Sequence, residues 1–241
     1  MSPFDAAFTV DLEPDCPPFL RGFRGVEQGL PRLLDMLAYQ KIRATFFTTG
    51  DVARKYPSAV QSVERGGHEL ACHGMTHTAF TAMPRDAARA EIEESTAILR
   101  DFAPVTSFRA PYLQFPDEYL DLVVTAGFTV DSSQARYKRA YHRSKRSNKS
   151  WPIARIPASL TSSALRIPKF FREAYLRALH APVVLFVHPW EFVDLRAEKI
   201  RYDCRFRTGD VALACVTDVL RGMVERGARF QTMRELGNAA A

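Results

Sequence analysis

The sequence contains only four cysteines, and their positions exclude several common sites. Cys16, Cys72, Cys204 and Cys215 include no CxxC pair and have no histidine at zinc-finger spacing, so we expect no structural zinc site. A chain of 241 residues buries most of the surface that it exposes when unfolded, and its fold therefore needs no disulfide or structural metal. We expect four reduced thiols that act as buried apolar side chains.

The sequence also lacks long apolar runs. No segment reaches the roughly 18 apolar residues of a membrane span, and the opening residues, Met-Ser-Pro-Phe-Asp, lack the basic start and apolar stretch of a secretory signal. These absences predict a cytoplasmic protein. Hydrophobic residues make up 46% of the chain and charged residues 25%, which is ordinary for a globular protein, so we expect a single domain over residues 1–241.

Acidic residues are absent from one long interval, between Asp131 and Glu173. Residues 136–150 within it mix arginine and lysine with two tyrosines and a histidine, which predicts a long basic loop. Such a loop can contact an anionic membrane surface or the phosphates of a lipid-linked substrate, and a solvated loop without a partner is the alternative. No nucleic-acid-binding signature accompanies it, so nucleic acid is not expected as a partner. The sequence does not indicate the oligomeric state.

Short apolar runs alternate with helical patterns along the chain. Repeated units of a strand followed by a helix predict an α/β fold, with parallel strands inside and helices outside. The predicted strands cover residues 6–10, 42–48, 69–72, 107–109, 128–131 and 183–188, followed by a last segment at 229–232. The predicted helices cover residues 25–40, 51–56, 58–66, 86–102, 116–126, 169–179 and 211–226.

Polar side chains that could bind a metal or take part in catalysis follow the ends of these strands. The carboxyl ends of parallel strands are where α/β sheets and barrels build their sites. These side chains are separated in sequence, but they would converge if the strands lie side by side. In chain order they are Asp11, Glu13, Asp15, His73, His77, Arg109, Asp131 and His188.

Two of these groups have the spacing of a metal site. His73 and His77 lie four residues apart, and on one turn of helix this spacing points both imidazoles the same way. Asp11 and Glu13 lie two residues apart, so on an extended segment they face the same side. One carboxylate can then bind the metal while the other acts as a base. The alternatives are two surface histidines and a solvated acidic loop.

Four segments of the chain and one further histidine carry a family signature. They are residues 44–50 (ATFFTTG), 65–73 (RGGHELACH), 108–112 (FRAPY) and 185–191 (LFVHPWE), together with His77. This set resembles the polysaccharide deacetylases of the NodB-homology type (carbohydrate esterase family 4). The resemblance implies a distorted (β/α) barrel of about seven parallel strands, with a metal at its open mouth and catalytic residues around it. It also implies a substrate that carries an N-acetyl or similar amide on an amino sugar of a saccharide.

The first motif departs from the usual family pattern of adjacent aspartates. This chain resembles a branch with an Asp-x-Asp/Glu first motif and a His-Pro-Trp-Glu last motif. That correspondence makes Asp11 the catalytic base and Glu13 the third metal ligand, with Asp15 as the alternative ligand. A second departure is Gly74, where Ser or Thr is more usual, and it leaves both neighbouring histidines usable. The branch includes enzymes of small acylated or cyclic amides, so such substrates are a second functional class.

A mechanism follows from the residue types. A divalent metal, zinc in the first place and cobalt, nickel or iron as alternatives, lowers the pKa of its bound water toward about 7 and polarises a carbonyl. Asp11 would take the proton of this water, and Arg109 would keep the carboxylate ionised and aimed. His188 would protonate the leaving amine, and Asp131 would orient His188.

Two substrate contacts are predicted, of which the first is implied by the same resemblance. The backbone N–H of Tyr112 would help to hold the oxyanion, and Trp190 would form a wall of the groove. Each assignment has an alternative: Arg109 on the surface, Asp131 as the cap of a turn, and His188 or Trp190 in the core. A third functional class is a non-catalytic protein that binds through its basic loop, but the complete set of candidate ligands, base and acid argues against it.

Overall fold

The centre of the protein is one curled sheet of parallel strands. The computed structural model describes residues 3–145 and 151–240 and, of residues 143–145 and 240, only the backbone. Seven strands are hydrogen-bonded in the order β6-β5-β4-β3-β2-β1-β7, and β8 pairs with the start of β1. The strands are β1 (Phe4–Leu12), β2 (Thr45–Thr48), β3 (Glu69–Cys72), β4 (Ser107–Phe108), β5 (Val130–Asp131), β6 (Ala154–Arg155), β7 (Val183–Val187) and β8 (Ala228–Phe230).

The two ends of this sheet approach each other. The backbone N–H of Ser159, which follows β6, donates to the carbonyl of Val184 in β7 at 2.8 Å. The Ser159 hydroxyl in turn accepts a hydrogen bond from the Val184 N–H at 2.9 Å. The sheet is therefore curled into a distorted (β/α) barrel, as the family resemblance implied.

Register brings the carboxyl ends of neighbouring strands to one edge. Leu12 pairs with Thr48, and Thr48 pairs with Cys72. Cys72 pairs with Phe108, and Phe108 pairs with Asp131. Each of these five residues is the last of its strand. Side chains that immediately follow them must meet at the same mouth of the barrel.

Helices cover the outside of the sheet, because successive strand side chains point to opposite faces. Phe8 and Phe46 face outward into the largest apolar cluster. Phe47 faces inward, where Met233 and its neighbours fill the barrel. The helices are α1 (Leu30–Gln40), α2 (Gly50–Lys55), α3 (Pro57–Arg65), α4 (Arg85–Arg100), α5 (Leu120–Thr125), α6 (Arg139–Lys145), α7 (Lys169–Arg177), α8 (Tyr202–Arg205), α9 (Asp210–Glu225) and α10 (Met233–Ala240).

The basic segment is the main difference from the predicted elements. It was expected to be a loop over residues 136–150, but Arg139–Lys145 forms helix α6. Arginine, lysine and alanine are good helix formers, and the density of charge obscured this propensity. Residues 146–150 of the predicted loop lie outside the described residues. Within the described ranges, none of the helices has the length and apolar character that would let it cross a membrane.

Candidate active site

The mouth of the barrel contains a cavity of about 410 Å³ that is lined by the predicted metal ligands. Asp11 lies near the end of β1 and Glu13 just after it, and both side chains are buried in the cavity wall. They are joined there by His73 and His77 from the loop after β3, and by His188 from the residue after β7. Five side chains from three strand ends therefore share one cavity.

Glu13, His73 and His77 form a compact group of potential ligands. One ligand atom from each lies within 4.8 Å of the other two, and all three side chains are buried. The Nε2 atom of His77 lies 2.5 Å from Glu13 Oε2, and the Nε2 atom of His73 lies 3.4 Å from the same oxygen. The Nδ1 atom of His73 hydrogen-bonds with the carbonyl of Arg109 at 2.7 Å. A proton on Nδ1 for this bond leaves the Nε2 lone pair directed at Glu13.

The charge of Glu13 depends on its basic neighbours. Burial by itself would raise the pKa of the Glu13 carboxyl. The adjacent His77 and His188 side chains outweigh burial and hold this pKa well below its ordinary value. The carboxylate is therefore ionised at neutral pH and suited to bind a cation.

The two histidines do not lie on a helix, which corrects the prediction from their spacing. Gly74 has a φ of 77° and His77 a φ of 60°, so the backbone passes twice through the left-handed region. The Glu91 carboxylate of α4 accepts the N–H of Met75 at 2.7 Å and so anchors the loop. A left-handed conformation is unfavourable for a histidine and is typical of functional sites. The two rings converge, with centroids 5.2 Å apart, through a tight turn.

Asp11 is held by a fully buried arginine. The Nη1 atom of Arg109 donates to Asp11 Oδ1 at 2.6 Å and to the Thr9 hydroxyl at 2.9 Å. Its Nη2 atom donates to the Ser132 hydroxyl at 3.0 Å. The guanidinium lies over the Phe47 ring, 4.1 Å from its centroid. Arg109 is therefore not a surface residue, and it fixes the orientation of the Asp11 carboxylate.

His188 faces both acidic residues across the cavity. Its Nε2 atom lies 3.7 Å from Glu13 Oε1 and 4.0 Å from Asp11 Oδ2. Its Nδ1 atom hydrogen-bonds with Glu191 Oε1 at 2.7 Å. The ring stacks on Trp190 with centroids 4.6 Å apart. His188 is therefore fixed on one side and directs Nε2 into the cavity.

The environment of His188 favours its protonated form. Burial lowers the pKa of the imidazole, but the Glu13 charge, the hydrogen bond with Glu191 and the Asp11 charge outweigh burial and raise this pKa to about 9. A divalent cation bound to Glu13 would offset part of that carboxylate's effect.

The residue that orients His188 is Glu191, which corrects the role predicted for Asp131. Asp131 accepts a hydrogen bond from Arg155 Nε at 3.0 Å and caps the following turn by accepting the N–H of Ser133 at 3.0 Å. The Nδ1 atom of His188 is bonded to Glu191, three residues later in the same turn. Asp131 is buried at the end of β5, but its contacts are with its own edge of the sheet.

A second buried arginine completes the support of His188. The Nε atom of Arg166 lies 3.0 Å from Glu191 Oε2, and both side chains are almost fully buried. This ion pair keeps Glu191 charged, because the Arg166 charge opposes the effect of burial and the pKa of Glu191 is lowered. Sequence reasoning missed both roles. The position of Glu191 three residues after His188, on a turn that begins with Pro189, was the available signal.

The structure brings Glu13, and not Asp15, to the two histidines. Asp15 accepts the backbone N–H groups of Arg24 at 2.9 Å and Gly25 at 2.8 Å. It therefore caps the helical turn that leads into α1 and points away from the ligand group. Glu13 instead accepts a hydrogen bond from the indole N–H of Trp190 at 3.1 Å. Trp190 thus lines the cavity and also holds the carboxylate of Glu13.

Substitution of Asp15 distinguishes these two carboxylates. Asp15→Ala should lower the free energy of unfolding by about 2 kcal/mol, since it leaves two backbone donors without their acceptor. Bound metal should stay unchanged in this variant and be lost in Glu13→Gln. Urea unfolding and elemental analysis of both proteins provide the measurement. Metal lost from Asp15→Ala but retained in Glu13→Gln would make Asp15 the ligand.

Tyr112 lies at the edge of the cavity next to the ligand group. Its ring packs edge-on against His77 with centroids 4.7 Å apart. Tyr112 and Leu113 both have left-handed backbone conformations, with φ of 60° and 51°, which are strained for residues with side chains. The carbonyl of Tyr112 accepts a hydrogen bond from Lys138 Nζ at 2.5 Å. Lys138 and Tyr137 of the basic segment also line the cavity.

Comparison with known proteins identifies relatives of this arrangement. A family model described as polysaccharide deacetylase matches residues 5–130. A chitooligosaccharide deacetylase of Sinorhizobium fredii is 34% identical over 103 residues, which are 42% of this chain and 48% of that protein. A peptidoglycan deacetylase of Helicobacter pylori is 28% identical over 116 residues, 47% of this chain and 39% of that protein. The matched part thus spans less than half the length of these relatives.

Solved structures with the same fold cover nearly the whole chain. A family 4 carbohydrate esterase from Streptomyces lividans, in complex with acetate, has a TM-score of 0.63 and 16% identity, and the match covers 93% of this chain and 90% of that one. A family 4 pseudoenzyme from Bacillus anthracis has a TM-score of 0.67 and 14% identity, covering 98% and 66%. At these identities the likeness concerns the fold. Because the family model extends over more than half of the sequence, this chain belongs to the polysaccharide deacetylase family.

Proposed function

We propose that this protein is a metal-dependent deacetylase that hydrolyses the N-acetyl amide of an amino sugar in a saccharide. The observation that carries the proposal is the group of Glu13, His73 and His77 beside the Asp11–Arg109 ion pair and His188. Family membership supports the same chemistry, since the relatives named above are deacetylases of chitooligosaccharides and peptidoglycan.

The residues of the ligand group fit a divalent metal. Two imidazoles and one carboxylate suit zinc best and also suit cobalt, nickel and iron. The Nε2 atom of His73 is buried and has no hydrogen-bond partner among the described residues, although buried polar atoms are normally paired. A metal would give this nitrogen its missing partner. Within residues 3–145 and 151–240, this is the only cluster of three such ligands.

Each side chain around the metal site has a role in the proposed hydrolysis. A bound divalent metal supplies Lewis-acid chemistry, which polarises a carbonyl and acidifies water. Asp11 would accept the proton of the attacking water through Oδ2, since Oδ1 is engaged by Arg109. His188 would pass a proton from Nε2 to the leaving nitrogen, and its hydrogen bond with Glu191 holds the ring for this transfer. The N–H of Tyr112 would donate to the oxyanion.

The part of the substrate beyond the acetyl group would meet the basic segment. Lys138 reaches the wall of the cavity from this segment, and burial lowers the pKa of its ammonium group. A phosphate- or lipid-linked amino sugar would place its phosphate within reach of this cation. A cytoplasmic site of action, at or near a membrane surface, is part of the same proposal.

A panel of substrates tests the reaction. Chitooligosaccharides, small acylated amides and cyclic imides are incubated side by side with the protein, and released acetate or ring-opened product is measured. We expect acetate from the chitooligosaccharides, its loss after dialysis against a chelator, and its return with zinc or cobalt. Turnover of the imides or small amides alone would overturn the saccharide assignment, and activity that resists the chelator would overturn the metal-dependent mechanism.

A further inference from the structure

Two thiols from distant parts of the sequence meet in the wall of the cavity. Cys204 packs against the apolar cluster that contains Cys16, and both residues line the cavity that contains the ligand group. They belong to one apolar cluster together with Trp190. The sequence predicted four separate buried thiols, but Cys204 is only partly buried. Solvent-borne reagents can therefore reach one member of the pair.

Both cysteines are held in position by backbone hydrogen bonds. The carbonyl of Cys16 accepts the N–H of Phe19 at 3.0 Å, in a turn that follows the anchored Asp15. The carbonyls of Asp203 and Cys204 accept hydrogen bonds from Arg166 at 2.9 Å and 3.2 Å. The pair is thus a feature of the packed structure, because both turns are anchored independently.

The two thiols differ in reactivity. The hydrogen bond from Cys16 lowers the pKa of the Cys204 thiol despite partial burial. The same hydrogen bond, together with burial, raises the pKa of the Cys16 thiol. Cys204 therefore has the greater thiolate character and is the more exposed of the two. Low pKa, exposure and a neighbouring thiol are the features of a cysteine that reacts with oxidants.

We propose that Cys16 and Cys204 form a reversible disulfide in the cavity wall when the protein meets a hydroperoxide. The Cys204 sulfur attacks hydrogen peroxide, so that an S–O bond forms, the O–O bond breaks and one water leaves. The Cys16 sulfur then attacks the sulfenic acid, the S–S bond forms, the S–O bond breaks and a second water leaves. Two thiols are oxidised by two electrons in total, and one peroxide is reduced to two waters.

We expect the cross-link to narrow the cavity and slow deacetylation. This effect on turnover rests on the proposed deacetylase function. A disulfide has an S–S bond of about 2.05 Å, so it ties α8 to the loop that follows Glu13. Trp190 belongs to the same apolar cluster as Cys16 and donates a hydrogen bond to Glu13. Drawing this wall inward narrows the cavity beside the ligand group and should lower turnover several-fold.

Thiol counting and mass spectrometry test the disulfide without any assay of activity. The folded, metal-loaded protein is treated with hydrogen peroxide, and its free thiols are counted after denaturation. We expect a fall from four thiols to two, a mass loss of about two hydrogen atoms, a Cys16–Cys204 linked peptide, and full reversal by dithiothreitol. Deacetylation is measured on the same samples before and after reduction.

Matched variants identify the pair. Cys72→Ser/Cys215→Ser should still form the disulfide, since Cys72 is fully buried against Ser95, whereas Cys16→Ser and Cys204→Ser should not. In the peroxide-treated wild type, four remaining thiols, a bridge between other cysteines, or only irreversible oxidation would overturn the proposal. A disulfide that leaves turnover unchanged would overturn its effect on the cavity. An inactive reduced protein that still forms the disulfide would instead contradict the deacetylase function.

Discussion

Replacing both His73 and His77 by alanine should abolish metal binding and acetate release together. The two imidazoles are two of the three potential ligands in the buried group with Glu13, and one carboxylate cannot hold a divalent metal against solvent. A metal supplies several kcal/mol of transition-state stabilisation. Loss of about 4 kcal/mol corresponds to a fall of about 10³-fold in kcat/KM. Elemental analysis of freshly purified protein and an acetate assay measure the two effects.

A matched control separates loss of the site from a general effect of histidine removal. His180 is exposed and lies outside the basic segment, so His180→Ala should keep wild-type metal content and activity. Circular dichroism shows whether each variant folds. If the wild-type protein binds no metal, even after zinc or cobalt is supplied, the metal-dependent mechanism is wrong. That result would favour a metal-independent amidase or a binding protein.

Asp11→Asn should lower kcat by about 10²- to 10⁴-fold while metal stays bound. This range is the usual contribution of a general base, and an amide of the same shape cannot accept a proton at neutral pH. KM should change little, because Asp11 is not one of the three metal ligands in the proposal. Steady-state kinetics and elemental analysis on the same preparation provide the measurement.

Stability has to be followed in this variant, because Asp11 is the ion-pair partner of the fully buried Arg109. Removing one member of a buried pair destabilises proteins by about 3–5 kcal/mol, so thermal unfolding is measured alongside the kinetics. Asp15→Asn is the control, since it makes the same change in the same segment at a residue that caps a turn. A folded Asp11→Asn protein with kcat within tenfold of wild type would rule out Asp11 as the base.

Local patterns in the sequence determined the elements and the residues available for chemistry. A short apolar run predicted β1, and the helical spacing of apolar residues predicted α4, both within two residues of the observed bounds. The same spacing predicted a helix over residues 25–40, which the structure divides into a π-helical turn at Gly25–Gly29 and α1. These patterns are reliable because strand and helix periodicity depends on near neighbours in the chain. The candidates at the strand ends converge for the same reason, since parallel strands end at one edge of a sheet.

Only the tertiary structure decided which of these residues are partners. Glu13 and Asp15 both follow β1 closely in the sequence, and either could have been the third ligand. The hydrogen bond that Asp15 accepts from the Gly25 N–H directs its carboxylate away from the histidines. His188 was predicted to pair with Asp131, and the turn after β7 presents Glu191 instead. Partner choice depends on the relative placement of elements that are distant in sequence, which no local pattern encodes.

The two cysteines illustrate the same division. Their number and spacing in the sequence indicate no pair, because the chain between Cys16 and Cys204 contains most of the barrel. Closure of the sheet and the docking of α8 bring both thiols to one wall beside Trp190. The sequence by itself determined the fold class and the supply of reactive groups. Long-range packing decided which of these groups touch, because contact energy is realised only when the distant elements have docked.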